Sequence, residues 1–332
     1  MSSISLNDAR DLGQRILTRH KVSHENAVVT IEALIRAEMQ GIPSHGFSRI
    51  PYYAAQALAG KIDGFAEPKI LRPRPGTILT DAHCGFAFRA IADSLPVAAQ
   101  AAKENGVALL AINNSHHAGV LGLAVEDFAK QGLLAMAFAN SPAALAPYGG
   151  RKGTFGTNPM AMGCPRKNSP PLVIDISMGL MARGKILQAA EKGELIPEGA
   201  AVDAEGKPTR DPAKAFAGAL LPFGGPKGYA LALMVEIMAA VLPGAALAVE
   251  ASSLFTTEGP SPRIGQSFLI MDPAATAGEH FTERLDTLLH FITDQEGVRL
   301  PGDRRTALEA TVQAKGAIDL PDPLLAQLHS LC

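Results

Sequence analysis

The chain has no tryptophan, and its aromatic content is only 5% of 332 residues. The three cysteines, Cys84, Cys164 and Cys332, are too few and too scattered for a disulfide framework or a zinc cluster. Basic residues form no runs and the net charge is −2, so nucleic acid and anionic membranes have no electrostatic support as partners. The apolar stretches are too short to span a bilayer, and the N-terminus lacks the basic-then-apolar pattern of a secretion signal. We therefore expect a cytoplasmic protein in a reducing compartment.

A second absence concerns nucleotide-binding motifs. None of the 32 glycines is followed by another glycine two positions later, so the fingerprint G-x-G-x-x-G is missing. The phosphate-binding pattern G-x-x-x-x-G-K-[ST] is missing as well. Any nucleotide must therefore be held by other loops.

What the chain does contain is ample material for a buried core, since 47% of its residues are apolar. We predict a helical N-terminal part over residues 1–75, which packs with the C-terminal region. A central α/β body over 76–260 is expected to bind the cofactor, and a part over 261–332 returns to the N-terminal domain. The apolar segment 229–242 predicts a helix buried on most sides.

The first polar cluster is Pro43-Ser44-His45-Gly46, followed by Arg49. A histidine in a loop bounded by glycine and proline can titrate near neutral pH and act as a general acid. Arg49 offers a planar fork that matches a carboxylate. The alternative is a histidine that only caps backbone groups at a helix start, and this segment alone does not decide between them.

The second cluster, Asn113 to Gly119, follows a predicted buried strand and opens a helix, which is where α/β proteins place ligand-binding amides. Its paired histidines, His116 and His117, are adjacent and lack a third ligand at useful spacing. We therefore predict no metal site.

Four further segments carry weaker signals. Thr157 lies in a tight turn, for which a plain structural turn is the better interpretation on local evidence alone. Asp175 to Ser177 end a predicted strand, where an N-cap is as good an interpretation as a ligand contact. Lys227 lies in a glycine-rich loop before a helix and suits a phosphate. For Arg304 and Arg305 there are two interpretations: binding of a phosphate, or simple exposure to solvent.

Taken together, these segments resemble the malate/L-lactate dehydrogenase family of non-Rossmann type along nearly the whole chain. The family also includes ureidoglycolate, sulfolactate and diketogulonate oxidoreductases and reductases of Δ1-piperideine-2-carboxylate and Δ1-pyrroline-2-carboxylate. The motifs that carry the resemblance are SHGFSRIPYY, NSHHAG, FGTNPMA, DISMGLMARGKI, PEGAAVDAEGKPTRDP, PFGGPKGYAL and LPGDRR.

The resemblance implies an α/β fold of three layers (α/β/α) around a mixed seven-stranded sheet, like L-sulfolactate dehydrogenase, and a homodimer. By matching position, His45 resembles the proton donor and Ser44 its relay partner. The implied contacts to a small carboxylate substrate are Arg49, Thr157, Arg183 and Gly184. NADPH, with NADH as the alternative, is expected at His117, Ala118, Gly119, Val120, Leu121, Asp175, Ile176, Ser177, Lys227, Arg304 and Arg305.

The motifs NSHH, LLPFGG and PGDRR most resemble the cyclic-imine reductases. We therefore predict reduction of Δ1-pyrroline-2-carboxylate or Δ1-piperideine-2-carboxylate to L-proline or L-pipecolate. The alternative is a 2-hydroxyacid dehydrogenase acting on malate, lactate or ureidoglycolate, and a remote third is a non-catalytic binding relative. Lys185 stands where piperideine-type reductases carry Asp, and beside His45 it would lower the histidine pKa by like-charge repulsion.

Overall fold

The computed structural model describes the backbone of all 332 residues and all side chains except those at positions 187 and 191. Among the described residues, no helix is both long and apolar enough to cross a membrane. The α-helices are α1 (Leu6–Arg19), α2 (His24–Met39), α3 (Ile50–Leu58), α4 (Ala87–Asn105), α5 (Leu121–Ala129), α6 (Arg183–Lys192), α7 (Pro212–Ala217), α8 (Pro226–Glu236), α9 (His280–Thr293), α10 (Asp303–Lys315) and α11 (Asp322–Ser330).

The strands form one large sheet and two small ones. The seven-stranded sheet has the order β2-β3-β4-β11-β5-β6-β7, in which only β3 and β4 are parallel. This confirms the predicted mixed seven-stranded sheet. The strands are β1 (Ser2–Ser5), β2 (Lys69–Arg74), β3 (Thr77–Asp81), β4 (Val107–Ser115), β5 (Leu134–Ala139), β6 (Met160–Cys164), β7 (Leu172–Ile176), β8 (Ala201–Val202), β9 (Pro208–Thr209), β10 (Ala219–Leu220), β11 (Ile264–Met271) and β12 (Ala317–Leu320).

Strand β5 shows how the sheet separates two helical layers. Ala135 and Ala137 face α4 and α5, while Met136 and Phe138 face α8, because successive side chains on a strand point to opposite faces. The core between the sheet and α4 and α5 is made mostly of alanine. These small side chains allow helices and strands to approach closely, which is how a chain poor in aromatic residues fills its interior.

A separate core lies in the N-terminal part. Helices α1, α2 and α3 pack together, and β1 pairs antiparallel with β12 near the C-terminus. Ser5 and Ser23 cap α1 and α2, because each hydroxyl accepts a hydrogen bond from the backbone N–H three residues later. The domain limits at residues 75 and 260 stay predictions.

Two local expectations were wrong. The segment 229–242 is not one helix buried on most sides: α8 is followed by a π-helical turn (Ile237–Val241), and one face of both is exposed. The second polar cluster does not follow the buried strand but begins inside it, because β4 continues through Asn113 and Asn114 to Ser115. The extra strand residues pair with β3 and with β11, which the local sequence does not reveal.

Candidate active site

The candidate site lies at one edge of the seven-stranded sheet. Since β6 runs antiparallel to its neighbours, the ends of β4, β5 and β7 meet the start of β6 at that edge. The loops that leave this edge carry His116 and His117, Ser141, and Ser177, and the loop that enters β6 carries Thr157. Segments far apart in sequence thus meet in one place.

The N-terminal part contributes a loop of two short 3₁₀ turns, Pro43–His45 and Phe47–Arg49. His45 Nδ1 and Ser44 Oγ are hydrogen-bonded at 2.9 Å, which leaves Nε2 available to a substrate. Arg49 Nε donates to the carbonyl of Ser44 at 2.7 Å. No second protein acceptor is found for Arg49 among the described residues, so both Nη groups are available to a carboxylate.

His117 joins this loop to the sheet edge. Its ring centroid is 5.2 Å from that of His45, and its Nδ1 is hydrogen-bonded to the hydroxyl of Tyr53 at 2.7 Å. Tyr53 lies in α3 and is fully buried. The two imidazoles, one from each structural part, therefore stand side by side with defined orientations.

Hydrogen bonds to Ser141 and Glu236 fix the turn that contains Thr157. Its backbone N–H donates to Ser141 Oγ at 3.1 Å, and the next residue, Asn158, donates its side-chain amide to Glu236 at 2.8 Å. Glu236 is a buried carboxylate of α8 that also accepts hydrogen bonds from Asn140 and from the backbone of Ala248. A buried carboxyl group needs such hydrogen-bond partners. Because Asn140 and Asn158 both donate to Glu236, their two loops are held in place.

Aromatic side chains border Arg49. The guanidinium carbon lies 4.9 Å from the ring centroid of Phe255, and Phe255 meets Tyr52 edge to face at 5.6 Å. A cation over an aromatic face is stabilised electrostatically. The Arg49 guanidinium is thus flanked on one side by a pair of aromatic rings.

Lys61 anchors the segment that carries Phe255. Its ammonium donates to the backbone carbonyls of Ser253, Thr256 and Glu258 at 2.7, 3.1 and 2.7 Å. The Lys61 side chain is buried, so these three bonds replace its hydration shell. We call residues 253–258 the strap, because it ties the loop before β11 to the N-terminal part.

Burial keeps the histidines of the site neutral. It lowers the pKa of His45 to about 3, helped by the charges of Arg49 and Arg305, and the pKa of His116 to about 3, helped by Lys61 and Arg49. The pKa of His117 is lowered well below its ordinary value by burial and by Arg49. The site is therefore a region of neutral imidazoles under a positive field.

Lys185 does not set the pKa of His45. The lowering that we expected is present, but its charges belong to Arg49 and Arg305, and the Lys185 side chain is exposed. The neighbour that does approach the loop of His45 is Gly184: a Cβ built there would lie 3.5 Å from Ser44 Cβ. Arg183 stacks on Phe216 at 4.6 Å and has no acidic partner among the described residues.

The start of α5 offers backbone amides beside a carboxylate. Its N-cap, Val120, provides no side-chain cap, and no acceptor is found among the described residues for the backbone N–H groups from Gly119 to Leu121, which leaves these amides available to a ligand. Asp175, at the end of β7, accepts hydrogen bonds from the backbone of Gly122 and from Arg305, both at 3.1 Å. Uncapped amides, a carboxylate and a guanidinium together suit the phosphates and ribose of a dinucleotide.

Comparison with known proteins gives a consistent result. The family model for malate/L-lactate dehydrogenase matches residues 4–329. The chain is 44% identical to "(2R)-3-sulfolactate dehydrogenase (NADP(+))" of Chromohalobacter salexigens over 98% of this chain and 97% of that protein. It is 40% identical to the Δ1-pyrroline-2-carboxylate/Δ1-piperideine-2-carboxylate reductase of Pseudomonas syringae over 93% of this chain and 90% of that protein.

The solved structure of Δ1-piperideine-2-carboxylate reductase from P. syringae covers all of both chains with a TM-score of 0.94 and 38% identity. The chain belongs to the malate/L-lactate dehydrogenase family. It is an oxidoreductase that uses a nicotinamide cofactor, as its relatives in the family do.

The structure brings most of the predicted site residues together but not all. One group contains Ser44, His45, Arg49, His117 and Gly184. Thr157 lies at the same sheet edge as Asp175, which accepts a hydrogen bond from Arg305. Lys227 is exposed at the start of α8, and Arg304 is exposed at the start of α10. In the described part of the chain, no contact links either of them to the histidines.

Sequence reasoning missed Tyr53, Ser141, Phe255 and Glu236. Tyr53 was detectable only as part of the motif SHGFSRIPYY, in which it follows the histidine by two helical turns. Ser141 and Glu236 act through residues that are distant in sequence, and no local pattern marks them.

The burial of His116 predicts an acid-sensitive stability. His116 is fully buried and its ring nitrogens have no hydrogen-bond partner among the described residues. Unfolded, it takes up a proton near pH 6.5; folded, only near pH 3. The unfolded state therefore binds the additional proton between these values, and the folded state loses stability as the pH falls through that window.

We expect the free energy of unfolding to fall more steeply from pH 6 to pH 5 in the wild type than in His116→Gln. The difference in slope should approach about 1.4 kcal/mol per pH unit, the value for one proton. Urea denaturation at pH 8, 6 and 5 measures it, with pH 8 as the control at which His116 is neutral in both states. Parallel curves for the two proteins would show that His116 is not the cause.

Proposed function

We propose that the protein is an NADPH-dependent reductase of small cyclic 2-imino acids, Δ1-pyrroline-2-carboxylate and Δ1-piperideine-2-carboxylate. The observation that carries the proposal is the single loop that presents His45 and Arg49 together, with Arg49 bound to the backbone of Ser44. A group that binds a carboxylate and a group that handles a proton are thereby held at a fixed spacing. The reacting carbon of a 2-imino acid is bonded directly to its carboxylate, which suits such a spacing.

The aromatic wall favours a ring over a second acidic group. Phe255 covers one face of Arg49 and Tyr52 packs against Phe255, so the methylene groups of a five- or six-membered ring would have aromatic side chains to contact. The similarity to the solved structure of the Pseudomonas syringae reductase, a protein named for a cyclic imine, supports this choice.

Substrate binding also prepares the proton. His45 is neutral in the free protein, since burial and the charges of Arg49 and Arg305 lower its pKa. A carboxylate on Arg49 offsets one of these charges and therefore raises the pKa of His45 toward its ordinary value. His45 then holds a proton at Nε2 for the imine nitrogen, oriented by Ser44 at Nδ1 and flanked by His117.

The residues around Asp175 suit the dinucleotide. The start of α5 from Gly119 to Leu121 would bind phosphate through backbone amides, and Arg305 adds a guanidinium. Arg304 lies on the same helix and is the residue we assign to the 2′-phosphate of NADPH. When bound, the nicotinamide supplies the hydride that the imine carbon receives, and the imine becomes a secondary amine.

A 2-hydroxyacid dehydrogenase is the second candidate, and two observations favour it. The relative at 44% identity is named for 3-sulfolactate, a 2-hydroxy acid with a second acidic group. Arg183 is a partly buried cation, and no acid compensates it in the described part of the chain. A sulfonate or second carboxylate would supply the missing charge. His45 would then serve as the base that accepts the hydroxyl proton.

Turnover with a panel of substrates separates the two candidates. We expect purified protein to oxidise NADPH with the cyclic imines at a higher kcat/KM than with 3-sulfopyruvate, oxaloacetate or pyruvate. The reason is that only the cyclic substrates have ring methylene groups to pack against Phe255 and Tyr52. Absorbance at 340 nm measures each reaction, and NADH replaces NADPH to measure the cofactor preference. A kcat/KM for 3-sulfopyruvate far above that for either imine would reject the imine proposal in favour of the second candidate.

His45→Gln tests the proton-handling role. The variant should lose about 10²–10⁴-fold in kcat, because a positioned general acid contributes that much, while cofactor affinity stays within about twofold. Steady-state kinetics and quenching of NADPH fluorescence measure the two quantities. His24→Gln, which changes an exposed histidine of α2, is the matched control. Unchanged turnover in His45→Gln would remove His45 from the mechanism.

We also propose that the protein forms a homodimer through α8 and the π-helical turn. Their exposed side chains form a continuous apolar stripe at helical spacing: Ala230, Leu233, Met234, Ile237 and Val241. Met234 and Val241 are each 59% exposed in the single chain, a large cost for side chains of this type. A second copy of the same uncharged stripe, related by a two-fold axis, would cover it.

Ile237→Glu should convert the dimer to a monomer, because it would bury two uncompensated carboxylates near the two-fold axis. Sedimentation velocity at micromolar concentration measures the mass. Phe291→Glu, which changes an exposed apolar residue of α9, should leave the dimer intact. A monomeric wild type, or a variant that remains dimeric, would show that this face is not the interface.

A further inference from the structure

Glu38 is a carboxylate that the proposed mechanism does not use. It lies in the last turn of α2, directly behind the loop that carries His45 and Arg49. One of its oxygens accepts a hydrogen bond from the backbone N–H of Phe47 at 2.7 Å. The side chain is half-buried and forms no ion pair among the described residues, which is unusual for a glutamate.

The carboxylate occupies space that only a glycine can leave open. A Cβ built on Gly46 would stand 2.5 Å from Cδ of Glu38. Heavy atoms do not approach so closely, so the carboxylate can lie against the loop only because Gly46 has no side chain. Gly46 follows His45 directly, and the contact therefore touches the residue next to the catalytic histidine.

The bond to Phe47 fills a gap in the loop's own hydrogen bonding. Phe47 begins the second 3₁₀ turn, and Gly46 before it has no side chain to cap that turn. The N–H groups of His45, Gly46 and Arg49 bond to carbonyls within the loop or just before it. The Phe47 N–H is instead satisfied by Glu38, which makes α2 the outside support of the two turns.

The hydrogen bond does not depend on a negative charge. Burial raises the pKa of Glu38 to about 7, while the bond from Phe47 opposes that rise. No charged side chain of the described residues contributes to this pKa. Since a neutral carboxyl group retains an oxygen acceptor, the Phe47 contact persists in both protonation states, and an amide of the same shape can replace it.

We propose that Glu38 is a positioning residue that holds the loop of His45 and Arg49 in its working conformation through Phe47. The role in catalysis rests on the function proposed above, but the hold on the loop does not. Loss of the acceptor leaves the Phe47 N–H buried and unpaired, and the loop then shifts to satisfy it. A displacement of about 1 Å between acid and carboxylate-binding group costs about 10²-fold in rate.

Two substitutions at Glu38 test the acceptor specifically. Glu38→Met keeps the length and removes the acceptor; Glu38→Gln keeps both length and an acceptor oxygen. Glu32→Met, on the same helix as Glu38, is the control, since it removes an ion pair with Arg10 of α1 without touching the loop. Kinetics with the cyclic imines and hydrogen exchange of the Phe47 amide are measured for all three in the full-length protein.

We expect Glu38→Met to lose about 10²-fold in kcat/KM and its Phe47 amide to exchange at least about tenfold faster. Glu38→Gln and Glu32→Met should remain close to wild type in both measurements. Wild-type exchange and turnover in Glu38→Met, or an equal loss in Glu38→Gln, would overturn the proposal. If the wild type turns over none of the substrates, the proposed function is wrong, and the exchange rates alone still decide whether Glu38 holds the loop.

Discussion

The hydrogen bond between Tyr53 and His117 is where two separately built parts of the molecule meet. His45 and Arg49 come from a loop supported by the N-terminal helices, whereas His117 follows a strand of the central sheet. Each part has its own apolar core. The spacing of the two imidazoles, 5.2 Å between centroids, therefore depends on how the parts dock. Tyr53 fixes that docking with a polar bond at the site itself.

The positive electrostatic potential of the site arises because partly buried arginines lie close to the histidines, with few acidic side chains beside them. Burial lowers the pKa of His45, the charges of Arg49 and Arg305 lower it further, and Asp175 is hydrogen-bonded to Arg305 and to the backbone of Gly122. In the reaction we propose, an anionic substrate and a phosphate-bearing cofactor would offset the positive field of the site. Binding would then be coupled to protonation through charge, and His45 would be protonated most readily with both ligands in place.

Much of the site was predictable, because its motifs are local. The family resemblance, and through it the seven-stranded sheet and the Ser44–His45 pair, followed from segments of six to sixteen residues. The errors arose where distant segments decide. Lys185 is next to Gly184 in sequence, yet its side chain points to solvent while Gly184 meets Ser44. Glu236 supports Asn158 across 78 positions, and the exposed face of α8 has the same composition as a buried one. Sequence periodicity reports that a face is apolar, not what covers it.

The anchoring of the strap has an evolutionary consequence. Lys61 binds three backbone carbonyls, and every amino acid at those positions carries the same carbonyl. The path of the strap is therefore independent of its own side chains. Phe255 and its neighbours can be exchanged by mutation while the segment keeps its course past Arg49. In this chain, the aromatic side chain beside Arg49 can therefore change without a change in the course of the backbone that carries it.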